Sequence, residues 1–73
     1  MSTLRVAVVR GRGALVRLLE QVRRRGFEVS RLVARPVEDG RTLDVTLTVE
    51  GGAGERLARH LGEVGGVQRV EVA

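Results

Sequence analysis

From Thr42 to Glu50 the chain alternates without a slip. Leu43, Val45, Leu47 and Val49 fall on one parity; Thr42, Asp44, Thr46, Thr48 and Glu50 fall on the other. A strict period of two specifies a β-strand with one apolar and one polar face. Such a strand belongs to a sheet covered on one side and open on the other. The remaining residues must supply both the other strands and the cover.

Leu4-Arg5-Val6-Ala7-Val8-Val9 reads as a β-branched strand, broken by Arg10-Gly11-Arg12-Gly13. Leu15, Leu18, Leu19 and Val22 then recur at i, i+3, i+4 and i+7, the apolar stripe of a helix. Arg17, Glu20, Gln21, Arg23 and Arg24 take its other side. Gly26 is a natural stop, Phe27 can fold back on the last turn, and Arg23-Arg24-Arg25 suits the negative end of the helix dipole. A second extended stretch runs from about Glu28 to Val37. Its alternation is untidy: Val29 and Val33 share one parity, Leu32 and Ala34 the other. A bulge or burial on both faces would account for that equally well. Pro36 suits an edge or a strand end.

Glu38-Asp39-Gly40 marks a hairpin turn into the Thr42–Glu50 strand. After Gly51-Gly52-Ala53-Gly54 a short helix places Leu57, Ala58, Leu61 and Val64 inward, with Glu55 and Arg59 as an outward i,i+4 pair. Gly65-Gly66 is expected to stop it. Val67 to Val72 is the last strand, with Val70 and Val72 inward. The order is β-α-β-β-α-β. The halves also match at an offset of 39: Leu4 with Leu43, Val6 with Val45, Gly13 with Gly52, Leu18 with Leu57, Gly26 with Gly65. The expected fold is α+β: a ferredoxin-like sandwich, one four-stranded antiparallel sheet with two helices on one face. Residues 1–73 are read as a single domain. A chain this short buries little apolar surface alone, so a homodimer or larger homo-oligomer through the sheet is expected.

Composition narrows the chemistry. The chain has no Cys, no Lys and a single His, His60. Disulfides, thiolate metal sites, Schiff-base chemistry and a Walker A lysine are therefore absent, and one chain cannot build a multi-histidine metal site. No apolar run approaches the roughly 20 residues of a membrane span, and a cytoplasmic location is expected. The net charge is +4, and all 13 basic residues are Arg. That balance suggests an anionic partner, but codon usage explains the arginines as well. Of Phe, Tyr, Met, Ile, Asn and Lys, whose codons are AT-rich, only Phe27 and Met1 occur. A nucleic-acid module of this fold needs rings on its strands to stack bases, and the first and third strands have none.

The loop Arg10-Gly11-Arg12-Gly13 opens the first helix with no Ser, Thr, Asp or Asn to cap it. Its first amides are then free to meet a carboxylate or phosphate; an ordinary glycine turn with solvated arginines is the plainer account. It is no dinucleotide fingerprint, because Val16 stands where the third glycine belongs. Ser2, Ser30 and His60 have no partner set for catalysis, and no cofactor is expected.

Val8-Val9-Arg10-Gly11-Arg12-Gly13-Ala14-Leu15-Val16-Arg17, then Arg25-Gly26-Phe27-Glu28-Val29, Leu32 to Pro36 and the closing Val67-Gln68-Arg69-Val70, resemble an ACT domain. The resemblance is to the short small subunits of acetolactate synthase (acetohydroxyacid synthase) and covers essentially the whole chain. It implies a non-catalytic regulatory subunit that binds and activates a thiamine-diphosphate-dependent catalytic subunit. Many members also carry feedback inhibition by branched-chain amino acids. There the effector lies between two ACT domains, held by the loop after the first strand and by the start of a neighbour's second strand. Carried over, the effector positions are Arg10, Gly11, Arg12, Gly13, Ala14 and Leu15 on one side, and Glu28 and Ser30 on the other. Arg10 stands where responsive members usually have Asn or Asp, and Glu28 where they often have Asn. The two departures favour an activating form without ordinary valine inhibition, with Arg10 and Glu28 pairing across the interface. The alternatives are an ACT sensor serving another enzyme or regulator, and a basic nucleic-acid-binding module.

Overall fold

A computed structural model describes residues 1–11 and 13–73. The elements run β1 (Ser2–Val9), α1 (Ala14–Arg24), β2 (Glu28–Pro36), β3 (Thr42–Glu50), α2 (Gly54–Leu61) and β4 (Val67–Val72). The strands form one sheet in the order β2-β3-β1-β4, antiparallel throughout. This is the ferredoxin-like α+β sandwich that the hydrophobic pattern calls for.

Alternation decides which face the helices cover. Leu4, Val6 and Val8 of β1 and Val45, Leu47 and Val49 of β3 are buried. Above them lie Ala14, Leu18 and Val22 of α1, and Leu57 and Leu61 of α2. Burying each of the valine and leucine side chains is worth about 1.5–3 kcal/mol. The other parity of β1 and β3, with Thr3, Arg5, Asp44, Thr46 and Thr48, makes the outer face.

The register settles the untidy strand. Val29 pairs with Val49 and Arg31 with Thr48, so Ser30 is an extra residue. This β-bulge lets Val29, Leu32 and Ala34 all face the helices, while Arg31, Val33 and Arg35 face outward. The Ser30 hydroxyl donates to the Thr48 carbonyl at 3.2 Å, giving the bulge a local bond. Even so, β2 stays open: eight of its nine residues are exposed. Val29 and Leu32 keep 40% and 36% of their surface, because β2 is an edge strand that α1 only partly covers.

The end of α1 follows its sequence signal. Gly26 takes φ 86°, Gly26 N donates to Arg23 O, and Phe27 N donates to Val22 O. That is a Schellman ending, and it buries Phe27 against the core. α2 departs from expectation. It ends at Leu61, before Gly65-Gly66, because Glu63 N and Val64 N reach back only three residues, to His60 O and Leu61 O. Val72 shares the helix-side face yet remains 41% exposed at the edge of the sheet, so it is not a core residue. The expected Glu55–Arg59 pair does not form; the ion pairs among the described residues are Arg5–Asp44 and Arg69–Glu71. Among the described residues, no helix is long and apolar enough to cross a membrane.

Candidate functional site

The β1–α1 corner is tied down on both sides. Val9 N donates to Gly66 O at 2.8 Å, and Arg10 N donates to Arg41 O at 2.7 Å. The corner therefore hangs between the α2–β4 turn and the β2–β3 hairpin. Gly13 precedes α1 at φ 68°, in the left-handed region that a side chain strains, and no side chain caps the first turn. Arg12 lies outside the described residues.

The described effector candidates on this corner each have a definite place. Arg10 is exposed, but its Nη1 donates to the Gly40 carbonyl at 3.4 Å, so the guanidinium leans on the hairpin. Gly11 and Gly13 supply positive φ and open backbone: a Cβ on Gly11 would meet nothing within 4 Å. Ala14 is buried; a Cβ placed on Gly66 would sit 2.8 Å from the Ala14 Cβ. The Ala14 side chain thus belongs to the packing, and only its backbone can address a ligand. Leu15 is half-buried against the core. Arg17, one turn on, donates from Nη2 to Gly65 O at 3.0 Å and pins α1 to the α2–β4 turn.

The hairpin beside Arg10 is rigid for a local reason. Asp39 Oδ1 accepts from the amides of Arg41 and Thr42, and Asp39 Oδ2 accepts from the Thr42 hydroxyl. The Arg41 amide first, and then the Thr42 hydroxyl and amide, hold the Asp39 carboxyl below its usual range, overcoming a smaller opposing effect of desolvation.

The second half of the expected effector site lies elsewhere. Glu28 pairs with Glu50 at the end of β3 remote from Thr42, and Thr42 pairs with Val9 beside Arg10. The two halves are thus separated by the length of β3, roughly 26 Å at about 3.3 Å per residue. Glu28 is exposed, and Ser30 is the bulge residue whose hydroxyl is already engaged. One chain brings Arg10, Gly11, Gly13, Ala14 and Leu15 together, and Glu28 with Ser30, but not the two groups with each other.

Two surfaces escaped the sequence reading. One is an apolar groove along the β2 edge, lined by Leu19, Val22, Phe27, Val29 and Leu32, with Arg23 and Glu28 at its margin. The other is a polar trough on the outer face of the sheet. Both depend on the Ser30 bulge, which decides the facing of every residue from Arg31 to Pro36. A Ser at the point where parity breaks is the only trace the bulge leaves in the sequence. Among the described residues no cluster of His, Asp and Glu has the makings of a metal site.

A βαββαβ sandwich with an uncapped glycine corner and an open edge strand offers backbone amides and carbonyls to another molecule. The ACT domain family model matches residues 10–70, and the chain belongs to that family. ACT domains are typically regulatory, non-catalytic amino-acid-binding modules, and they commonly dimerise. The ACT domain of the GTP pyrophosphokinase of Chlorobium tepidum superposes with a TM-score of 0.78 at 17% identity, covering 99% of this chain and 95% of that one. A quorum-quenching acylase, GqqA, gives 0.76 at 27% identity; the match covers 97% of this chain but only 27% of that one. An uncharacterized protein of Thermotoga maritima gives 0.71 at 21% identity, over 99% of this chain and 91% of that one. Among curated proteins, no sequence matches the chain significantly.

Proposed function

We propose that this single ACT domain, residues 1–73, acts as a regulatory subunit of acetolactate synthase in the cytoplasm. It binds the thiamine-diphosphate-dependent catalytic subunit and raises its activity in branched-chain amino acid biosynthesis. The support is twofold: the run of motifs from Val8 to Arg17 and from Arg25 to Pro36, and the placing of the two expected effector groups at opposite ends of one sheet.

The divided site carries the reading. Two copies whose β2 edges pair antiparallel bring the Glu28 end of one to the Arg10 end of the other. The exposed β2 backbone supplies the hydrogen bonds, and the Leu19, Val22, Val29 and Leu32 groove supplies apolar area. A branched-chain amino acid held there would meet the open backbone of Gly11 and Gly13 with its carboxylate. Glu28 of the other copy would accept from its ammonium. In the empty site Arg10 reaches that same Glu28 and competes with the ligand. This competition favours an activator with weak or no feedback response.

Activation follows from differential binding. Docking raises turnover if the subunit binds the catalytic state with an ordered cofactor site more tightly than the disordered state. Any effector acts through its unequal affinity for the docked and undocked assemblies.

A second reading keeps the binding module and changes the client. The similar ACT domain of GTP pyrophosphokinase and the ACT-like quarter of an acylase both sit in other enzymes. An ACT sensor for an unrelated enzyme would bind an amino acid and leave acetolactate synthase unaffected. Mixing the purified chain with the catalytic subunit of the same genome separates the two. Co-elution with increased turnover supports the first; amino-acid binding by calorimetry with neither supports the second.

A further inference from the structure

The outer face of the sheet is uncovered, and its charge is unevenly placed. The pairing of the strands lines up Arg35, Asp44, Ala7 and Arg69 in one row, and Val33, Thr46, Arg5 and Glu71 in the next. Arg31, Thr48 and Thr3 form the third. Glu28 and Glu50 close the far end. Arg5 is paired with Asp44 at 3.2 Å and Arg69 with Glu71 at 3.5 Å. The Arg31 and Arg35 side chains are exposed and have no ion pair or hydrogen bond among the described residues. Between them runs a trough floored by Thr3, Val33, Thr46 and Thr48. The Thr3 and Thr48 hydroxyls lie 3.4 Å apart on its floor.

The geometry points to this trough as the surface that docks an acidic face of the catalytic subunit, and the inference rests on the regulatory reading above. Three guanidinium groups and one carboxylate line the trough, which leaves two positive charges over. Arg31 and Arg35 are four residues apart on one face, roughly 13 Å at about 3.3 Å per residue. That spacing suits separate carboxylates on a protein surface; a single phosphate needs cations converging on one point. A nucleic-acid strand fits poorly, because the face carries no ring to stack a base and Glu28 and Glu50 would oppose a continuous phosphate chain. A second copy set face to face would oppose the same arginines to each other. The β2-paired dimer strengthens the case: it sets Arg31 and Arg35 of both copies along one seam, and an acidic partner relieves their repulsion.

The test measures the affinity of the full chain for the acetolactate synthase catalytic subunit by biolayer interferometry. Wild type is compared with the double variants R31E/R35E and R31K/R35K, and with R24E on the helix layer. The reversed pair is expected to bind at least tenfold more weakly, as loss of complementary charge does, while the lysine pair and R24E stay within about threefold of wild type. Salt is expected to weaken wild type more than the reversed pair. In the complex, methyl resonances of Val33 and Ala7 are expected to shift and those of Val16 to stay, a readout that needs no variant to fold. Wild-type binding that survives R31E/R35E within threefold, or shifts at Val16 without Val33, overturns the docking face and leaves the regulatory reading standing. A wild-type chain that does not bind the subunit overturns both.

Discussion

Arg10 and Glu28 stand at opposite ends of the same sheet, one beside the start of β3 and the other beside its end. No rotamer of either closes that gap within one chain. Whatever the two do together, they do between copies.

Arg10 is the residue most open to a change of behaviour. Its guanidinium rests on the Gly40 carbonyl at 3.4 Å, an exposed bond worth little. Arg10→Asn shortens the side chain and supplies an amide that both donates and accepts. Calorimetric affinity for valine or leucine is expected to rise at least tenfold, about 1.4 kcal/mol. An unchanged titration contradicts the placement of the ligand.

Gly66 tests the corner's packing. A Cβ there would sit 2.8 Å from the Ala14 Cβ, and φ is 95°. Gly66→Ala therefore combines overpacking with backbone strain, for a loss of roughly 2–4 kcal/mol in urea unfolding. Gly40→Ala has φ 71° but open space, and about 1 kcal/mol is expected. Equal losses at both positions would show that close approach to Ala14 is not what demands glycine at 66.

The pH dependence of stability has a named contributor. Asp39 is held below its ordinary 3.8 by the Arg41 amide and by Thr42. A folded-state value below the unfolded one stabilises fully above the unfolded value, and the benefit fades as pH falls through the folded one. Urea midpoints of wild type should decline as pH drops below about 4, in line with carboxylates that are hydrogen-bonded in the native state. In Asp39→Asn that part of the decline should be missing. Identical acid limbs would remove Asp39 from the account.

Much of this was legible in the sequence, for identifiable reasons. The period of two in β3, the 3.6-residue stripe Leu15-Leu18-Leu19-Val22, and the glycine stop at Gly26 are local signals that tertiary structure reinforces. The facing of β2 was not legible, because one inserted residue at Ser30 reverses parity and alternation cannot say where a bulge falls. The length of α2 was missed for a similar reason: Val64 continues the apolar stripe from a turn instead of a helix. The family resemblance names two groups of residues, Arg10 to Leu15 and Glu28 with Ser30. Their separation by the length of a strand emerges only from the register.

Deleting Ser30 tests the bulge itself. Removing the extra residue leaves Val29 opposite Val49 and Arg31 opposite Thr48 in plain alternation, so both ends of β2 keep their facing without the bulge. The expected result is a folded chain with the β2 groove kept, seen as a retained circular dichroism spectrum and unchanged self-association. Lost association would show that the bulge itself shapes the β2 edge for pairing.

The central claim is that the functional unit is two chains joined along β2. Sedimentation velocity at micromolar concentration measures it most directly, on wild type and on Leu32→Glu, which places a charge in the groove on β2 and leaves every residue of β1 and β3 unchanged. The account predicts a wild-type mass twice that of the 7.9 kDa chain and a Leu32→Glu mass equal to one chain. A wild-type monomer at every concentration, or a Leu32→Glu dimer as tight as wild type, would contradict it.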